Sequence, residues 1–285
     1  MTSGRSEPST IKQLLLAHGL RAKRHFGQNF LSNSRVAERI AEFCVPSESH
    51  VVTEIGAGTG ALTAPLLARA KRVVAIERDR DLVPLLKERF EAELNAQRLI
   101  VEEADAKSVD FFRHHDVEST PVVLAGNLPY QLTGPLMRRV CDLRSSIELA
   151  VFLVQFEVAQ RLSAEPGTPA YGALSVFVQS QFEPKRAFVV RPGAFYPQPT
   201  VDSALVVLTP RAASLAADTP LFQRLVKAAF EQRRKTLRNA WRGLPGVSME
   251  RLEGAAGTAR IELDWRGERL SIDEFSRMAE ALEAS

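Results

Sequence analysis

From residue 50 onward the apolar positions fall into short runs separated by stretches of helical period. His50-Val51-Val52-Thr53-Glu54-Ile55, Arg72-Val73-Val74-Ala75-Ile76-Glu77, the run 99–105, Val122-Val123-Leu124-Ala125 and the run 149–154 each read as a strand. Residues 61–70 read as a helix, with Pro65 in its first turn or so, where proline is tolerated. This alternation over residues 50–125 predicts a doubly wound α/β sheet. Upstream, residues 10–43 read as two short helices around a Gly-Gln-Asn-Phe-Leu loop, with Ser32 or Asn33 capping the second. Downstream, residues 157–163 and 173–182 read as helices, and 186–190 and 201–208 as strands.

A small-residue linker, 210–220, precedes an entirely helical stretch. Helices are expected over 221–241, near Met249 and over 272–282, with apolar spacing that suits a small bundle. The expected organisation is a polar flexible tail over 1–10, an α/β domain over 11–209 and a helical domain over 210–285. The fold class is α/β: a Rossmann-like doubly wound sheet with a smaller C-terminal all-α domain.

Composition adds limits rather than detail. A chain of 285 residues suits one main domain and a smaller one, and 45% hydrophobic with 25% charged residues is ordinary for a soluble globular protein. No run is apolar enough to span a membrane, and the first ten residues lack the apolar core of a signal peptide. Cys44 and Cys141 are too few and too far apart for a disulfide framework or a metal site, and the five histidines show no ligand spacing. His114-His115 is expected in a solvated loop. A cytoplasmic, monomeric, metal-free protein is the resulting expectation.

Net charge is only +3, but its distribution is uneven. Residues 221–242 hold seven Lys/Arg and one acid, and residues 12–24 hold four basic residues and no acid. Arg233, Arg234, Lys235 and Arg238 are therefore candidates for phosphate contact. The alternative is a solvated helix face.

The candidate chemistry lies at the ends of the strands. Gly56-Ala57-Gly58-Thr59-Gly60 follows the first strand and opens a helix, the arrangement of a nucleotide-binding turn. Its GxGxG spacing differs from the GxGxxG of dinucleotide sites and favours a nucleoside without a pyrophosphate. The next strand ends at Glu77, 21 residues after Gly56, where an acid accepts hydrogen bonds from ribose hydroxyls. The third ends near Asp105, which reads either as an acceptor for an adenine amino group or as a turn acid. The fourth leads into Asn127-Leu128-Pro129-Tyr130. There the Asn127 side-chain carbonyl and the carbonyl of Leu128 or Pro129 suit the two N–H groups of an exocyclic amine. Pro129 stiffens the turn, and Tyr130 offers a face for a base to stack on.

These segments resemble the ribosomal RNA adenine dimethylase family. The resemblance covers nearly the whole chain and includes Arg24-His25-Phe26-Gly27-Gln28-Asn29-Phe30-Leu31, Val154-Gln155-Phe156-Glu157-Val158, Phe195-Tyr196-Pro197-Gln198-Pro199-Thr200-Val201-Asp202-Ser203 and residues 230–239. The glycine turn is shared by many methyltransferases; the other segments together are highly specific. The resemblance implies S-adenosylmethionine as methyl donor, with S-adenosylhomocysteine as product. It implies donor contacts from Asn29, Leu31, Gly56, Gly58, Glu77, Asp105 and Asn127, and a target adenine flanked by Tyr130 and Phe195. Its bacterial small-subunit type implies dimethylation of two adjacent adenosines near the 3′ end of 16S rRNA. Three positions depart from the family pattern: Ala57 where proline is common, Gly134 where a small hydroxyl residue is common, and Phe156 where a basic residue is common. None touches the expected chemistry. The competing expectations are a 23S rRNA or DNA adenine methyltransferase, and a ribosome-assembly factor whose binding matters more than its methylation.

Overall fold

A computed structural model of the chain describes residues 10–115, 122–129 and 132–285. The strands are β1 (Phe30–Leu31), β2 (Val51–Ile55), β3 (Arg72–Glu77), β4 (Leu99–Glu103), β5 (Val122–Asn127), β6 (Leu149–Gln155), β7 (Phe182–Val190), β8 (Phe195–Tyr196) and β9 (Ser203–Pro210). Seven of them form one sheet in the order β4-β3-β2-β5-β6-β9-β7. β2 runs parallel to both β3 and β5, β3 to β4 and β5 to β6, while β9 runs antiparallel to β6. The chain leaves β2 for β3 and β4 on one side and returns to β5 on the other. That reversal opens a crevice beyond the carboxyl ends of β2 and β5, the place where open α/β sheets bind ligands.

The helices are α1 (Ile11–Ala17), α2 (Ser34–Cys44), α3 (Thr63–Leu67), α4 (Leu82–Arg89), α5 (Glu91–Asn95), α6 (Thr133–Asp142), α7 (Phe156–Leu162), α8 (Ala173–Gln181), α9 (Pro220–Glu231), α10 (Leu237–Trp241), α11 (Met249–Ala259) and α12 (Ile272–Glu283). Asn33 caps α2, its side chain accepting the Val36 N–H at 3.1 Å. Thr10 caps α1 through the Gln13 N–H at 3.2 Å, so it belongs to the fold and not to a tail. Residues 1–9 of the expected tail lie outside the described residues. Val52, Val73, Val123 and Val151 of the sheet pack with Ile40 and Ala41 of α2 and Leu66 of α3 as the main core.

The chain forms two compact units. One runs to Ala159 and resumes over Lys185–Thr209; the other combines Gln160–Pro184 with Pro210–Ser285. A single boundary at 209/210 therefore misses an inserted piece. Tyr171, Val176 and Phe177 of that piece pack with Phe222, Leu225, Trp241 and Phe275, so their apolar surface is buried by the C-terminal helices. The helix expected over 221–241 is broken into α9 and α10. The Leu237 and Arg238 N–H groups turn away to the carbonyls of Trp265 (2.7 Å) and Leu263 (2.8 Å), which a continuous helix would not allow.

Two polar groups are handled unusually. The Tyr171 hydroxyl is buried with no hydrogen-bond partner among the described residues, and burial together with nearby Glu274 pushes its pKa up. An unpartnered hydroxyl costs about 1–3 kcal/mol in desolvation. Tyr171→Phe is expected to be neutral or to raise stability by about 1 kcal/mol, read as the shift in a urea midpoint. The second group corrects the solvated-loop expectation for His115. The Thr53 hydroxyl donates to the Phe111 carbonyl at 3.0 Å and sits 2.6 Å from His115 Nε2. Burial, with help from the Arg72 and His114 charges, lowers His115 to about 4, so the ring is neutral at pH 7.

Candidate active site

The ends of β2, β3, β4 and β5, together with residues 25–30, enclose a cavity of about 340 Å³. This is the size range of small-molecule sites. Of the expected donor contacts, Asn29, Gly56, Gly58, Glu77, Asp105 and Asn127 all line it, as do Leu128 and Pro129. Leu31 does not; it is buried in the main core, where β1 pairs with β8.

The glycine turn is held from two sides. Gly56 has φ +75°, which L side chains rarely adopt, and a Cβ there would stand 3.9 Å from the Asn127 carbonyl oxygen and 4.0 Å from Pro129 Cδ. Beneath the turn, Gly58 N–H donates to Glu77 Oε2 at 2.7 Å, and Asp79 N–H donates to Glu77 Oε1 at 2.7 Å. Arg89 of α4 donates to the Thr59 carbonyl at 2.7 Å. Glu77 is buried, which raises its pKa; the backbone N–H bonds from Asp79 and Gly58 oppose that rise. Its two oxygens keep lone pairs beyond those two bonds. At the other acid, Asp105 Oδ1 accepts the Lys107 N–H at 2.9 Å, and Oδ2 lies 3.4 Å from Arg78 Nε. Asp105 is thus both a turn acid and a cavity wall.

Behind the turn, Glu54 is only 1% exposed and accepts the Thr63 hydroxyl at 2.5 Å. Burial pushes its pKa up to about 8, the Thr63 bond works against the rise, and the Glu77 charge adds to it. Because the folded value lies above the unfolded one, this group's stabilising contribution is complete below about pH 4.5 and is lost as pH rises toward 8. Glu54→Gln removes the titration and keeps an acceptor for Thr63. Its urea midpoint is expected to gain on the wild type steadily between pH 5 and pH 8.

Asn127 ends β5 with its amide fixed. Nδ2 donates to the Asn29 backbone carbonyl at 2.8 Å, which presents Oδ1 as the acceptor. Leu128 N–H is taken by the Leu153 carbonyl at 3.0 Å, and the Pro129 carbonyl accepts the Leu132 N–H at 2.9 Å. Of the two backbone acceptors expected beside Asn127, the Leu128 carbonyl is therefore the better candidate. Tyr130 lies outside the described residues.

Phe195 is 3% exposed, pairs with Leu31 across the β1–β8 ribbon and packs in the main core, and it does not line the cavity. Alternation along so short a strand sends it inward while Tyr196 is turned the other way. The basic candidates also divide. Arg233 donates to the carbonyls of Pro169 (2.8 Å) and Tyr171 (3.1 Å), and Arg238 pairs with Glu253 (2.5 Å) and Asp264 (3.7 Å). Arg234 and Lys235 are exposed, with no side-chain partner among the described residues. Sequence reading missed Phe26, Arg78, Lys107 and Leu132 as cavity walls. Asp79 is a further wall, bonded to Gln28 of the Gly-Gln-Asn-Phe-Leu segment. Among the described residues no cluster suits a metal ion, and no helix is long and apolar enough to cross a membrane.

The comparisons agree on one family. Residues 19–284 match the ribosomal RNA adenine dimethylase model. The chain is 41% identical to ribosomal RNA small subunit methyltransferase A of Anaeromyxobacter sp. (strain K), over 95% of this chain and 97% of that protein. It is 38% identical to the protein of the same name from Enterococcus faecalis, over 97% and 95% of the two chains. Among solved structures, a dimethyladenosine transferase from Plasmodium falciparum superposes with TM-score 0.73 at 25% identity, covering 87% of this chain and 95% of that one. The 23S rRNA methyltransferase ErmE gives 0.65 at 25% identity, covering 90% and 100%. With a matching sheet, a cavity at its switch point and relatives alike from end to end, the chain belongs to the ribosomal RNA adenine dimethylase family.

Proposed function

We propose that this protein transfers methyl groups from S-adenosylmethionine to N6 of two adjacent adenosines near the 3′ end of 16S rRNA, forming N6,N6-dimethyladenosine in the small ribosomal subunit. The observation that carries the reading is the Asn127 amide, held by Asn29 so that Oδ1 serves as acceptor, at the edge of a cavity that also contains Glu77 and Asp105. Identity near 40% over nearly the full chain to small-subunit enzymes supports the small-subunit substrate.

The cavity fits a nucleoside donor. Gly56 holds the turn at φ +75°, which brings the backbone up to the cavity, and the lining offers the Glu77 and Asp105 carboxylates as acceptors for hydroxyl and amino donors. Asn29, Gly56, Gly58, Glu77 and Asp105 are the residues proposed to hold it. When bound, S-adenosylmethionine supplies an electrophilic methyl group on a sulfonium. The residues of this chain position the amine that attacks it. Asn127 Oδ1 and the Leu128 carbonyl accept the two N6 hydrogens and draw the nitrogen lone pair out of conjugation. As nitrogen gains positive charge, the same two oxygens stabilise it. No general base is needed before transfer. The target base leaves its stack at a cost of a few kcal/mol, and Tyr130 is the proposed stacking face that offsets it by roughly 1–3 kcal/mol. Arg234 and Lys235 are the proposed phosphate contacts.

The test is transfer of labelled methyl to undermethylated 30S subunits, with 50S subunits and duplex DNA as controls, followed by nucleoside mass analysis. Dimethyladenosine on 30S alone is expected. Donor binding without transfer to 30S would move the function to another nucleic acid.

A further inference from the structure

We propose that Asp79 is the hub of a clasp that holds residues 23–29 against the cavity and thereby sets the position of Asn127, with Lys23 and Gln28 as its positioning residues. Lys23 Nζ bridges Asp79 Oδ1 at 2.5 Å and Asp81 Oδ2 at 2.6 Å. Gln28 Nε2 donates to Asp79 Oδ2 at 2.8 Å, and Gln28 Oε1 accepts the Lys23 N–H at 2.7 Å. Asp79 also accepts the Asp81 N–H at 3.2 Å, so both of its oxygens are used. Its side chain is 4% exposed, and Lys23 is the cation opposite it.

These bonds run as a chain along the cavity wall. Gly58 and Asp79 are tied to the same Glu77 carboxylate, Asp79 is tied to Gln28, and the next residue, Asn29, offers its carbonyl to Asn127. Gly27, Gln28 and Asn29 line the cavity along that chain. Gly27 comes close to Pro129, since a Cβ there would lie 3.8 Å from Pro129 Cβ. Lys23 Nζ and Arg78 Cζ stand 5.6 Å and 5.5 Å from the centre of the Phe26 ring, another wall residue. None of Lys23, Asp79 or Asn29 need touch the reacting atoms. Their role is to decide where the wall and the Asn127 oxygen stand. Lys23, one of the four basic residues over 12–24, is thereby paired within the fold.

The identity of the ligand rests on the function proposed above, and the experiment separates the two. Lys23→Met, Asp79→Asn, Gln28→Ala and Lys23→Arg are compared with wild type. S-adenosylhomocysteine binding is read by calorimetry, and methyl transfer to 30S by steady-state kinetics. The first three variants are expected to weaken S-adenosylhomocysteine binding about tenfold or more, the loss expected of a charged, partly buried hydrogen bond. They should raise the donor KM and lower kcat while leaving the KM for 30S unchanged, and Lys23→Arg should restore most of the loss. Hydrogen exchange over residues 23–29 reads the clasp without any ligand. Faster exchange confined to that segment in Lys23→Met is expected, and unchanged exchange would overturn the proposal. So would variant affinities equal to wild type, or a Lys23→Met effect limited to a salt-dependent KM for 30S. A wild-type protein that fails to bind S-adenosylhomocysteine would count against the function and not against the clasp. Should Asp79→Asn fail to fold, Lys23→Met and Gln28→Ala carry the test.

Discussion

Replacing Asn127 by alanine is expected to lower single-turnover methyl transfer to 30S by about 10²–10³-fold, the loss seen when one preorganised group facing a developing charge is removed. The expectation follows from geometry rather than from residue type alone. Asn127 ends β5 at the switch point of the sheet, its Nδ2 is committed to the Asn29 carbonyl, and its Oδ1 is therefore the accepting end. Alanine removes that oxygen while the Leu128 backbone acceptor remains, so some activity should survive. Donor affinity should fall less than kcat, because Glu77, Asp105 and the glycine turn are untouched. A variant that turns over at the wild-type rate would remove Asn127 from the chemistry. A loss confined to the donor KM would make it a binding residue. Asn127→Asp keeps an acceptor but adds a charge and loses the donor to Asn29, so it should recover little.

The largest stability effect is expected at Gly126, a position with no left-handed φ to mark it. A Cβ there would overlap the Ile55 backbone carbonyl oxygen and stand 3.3 Å from the Ile55 carbonyl carbon and from Leu128 Cδ2. The obstructing group is the backbone of a neighbouring parallel strand, which cannot rotate aside as a side chain can. Gly126→Ala must push β5 away from β2 where the crevice begins. We expect about 3 kcal/mol of destabilisation, the upper end for overpacking a core, and a fall in Tm of roughly 6–12 °C. Differential scanning calorimetry tests this directly. A Tm within 2 °C of wild type would show that the two strand ends part easily. Because Gly126 adjoins Asn127, surviving Gly126→Ala protein should also lose activity beyond its loss of stability.

Sequence and structure divide along a physical line. The sequence by itself determined the local elements and their order: buried strands from continuous apolar runs, the glycine turn from spacing, and an acid or amide at successive strand ends. The parallel sheet then follows, because alternating strands and helices have few ways to bury both faces. It places Gly56, Glu77, Asp105 and Asn127 at one edge however far apart they lie in the chain. Three matters were decided only by tertiary contacts. The Gly-Gln-Asn-Phe-Leu segment faces β8, burying Leu31 and Phe195 together, since short strands find partners by packing rather than by period. Residues 160–184 join the C-terminal helices because their apolar side chains are covered there. Lys23, Arg233 and Arg238 are spent on internal partners while Arg234 and Lys235 are not. A list of charges cannot tell a paired cation from an exposed one. The difference lies in which carboxylates and carbonyls the fold brings within reach, and that is a property of three-dimensional proximity alone.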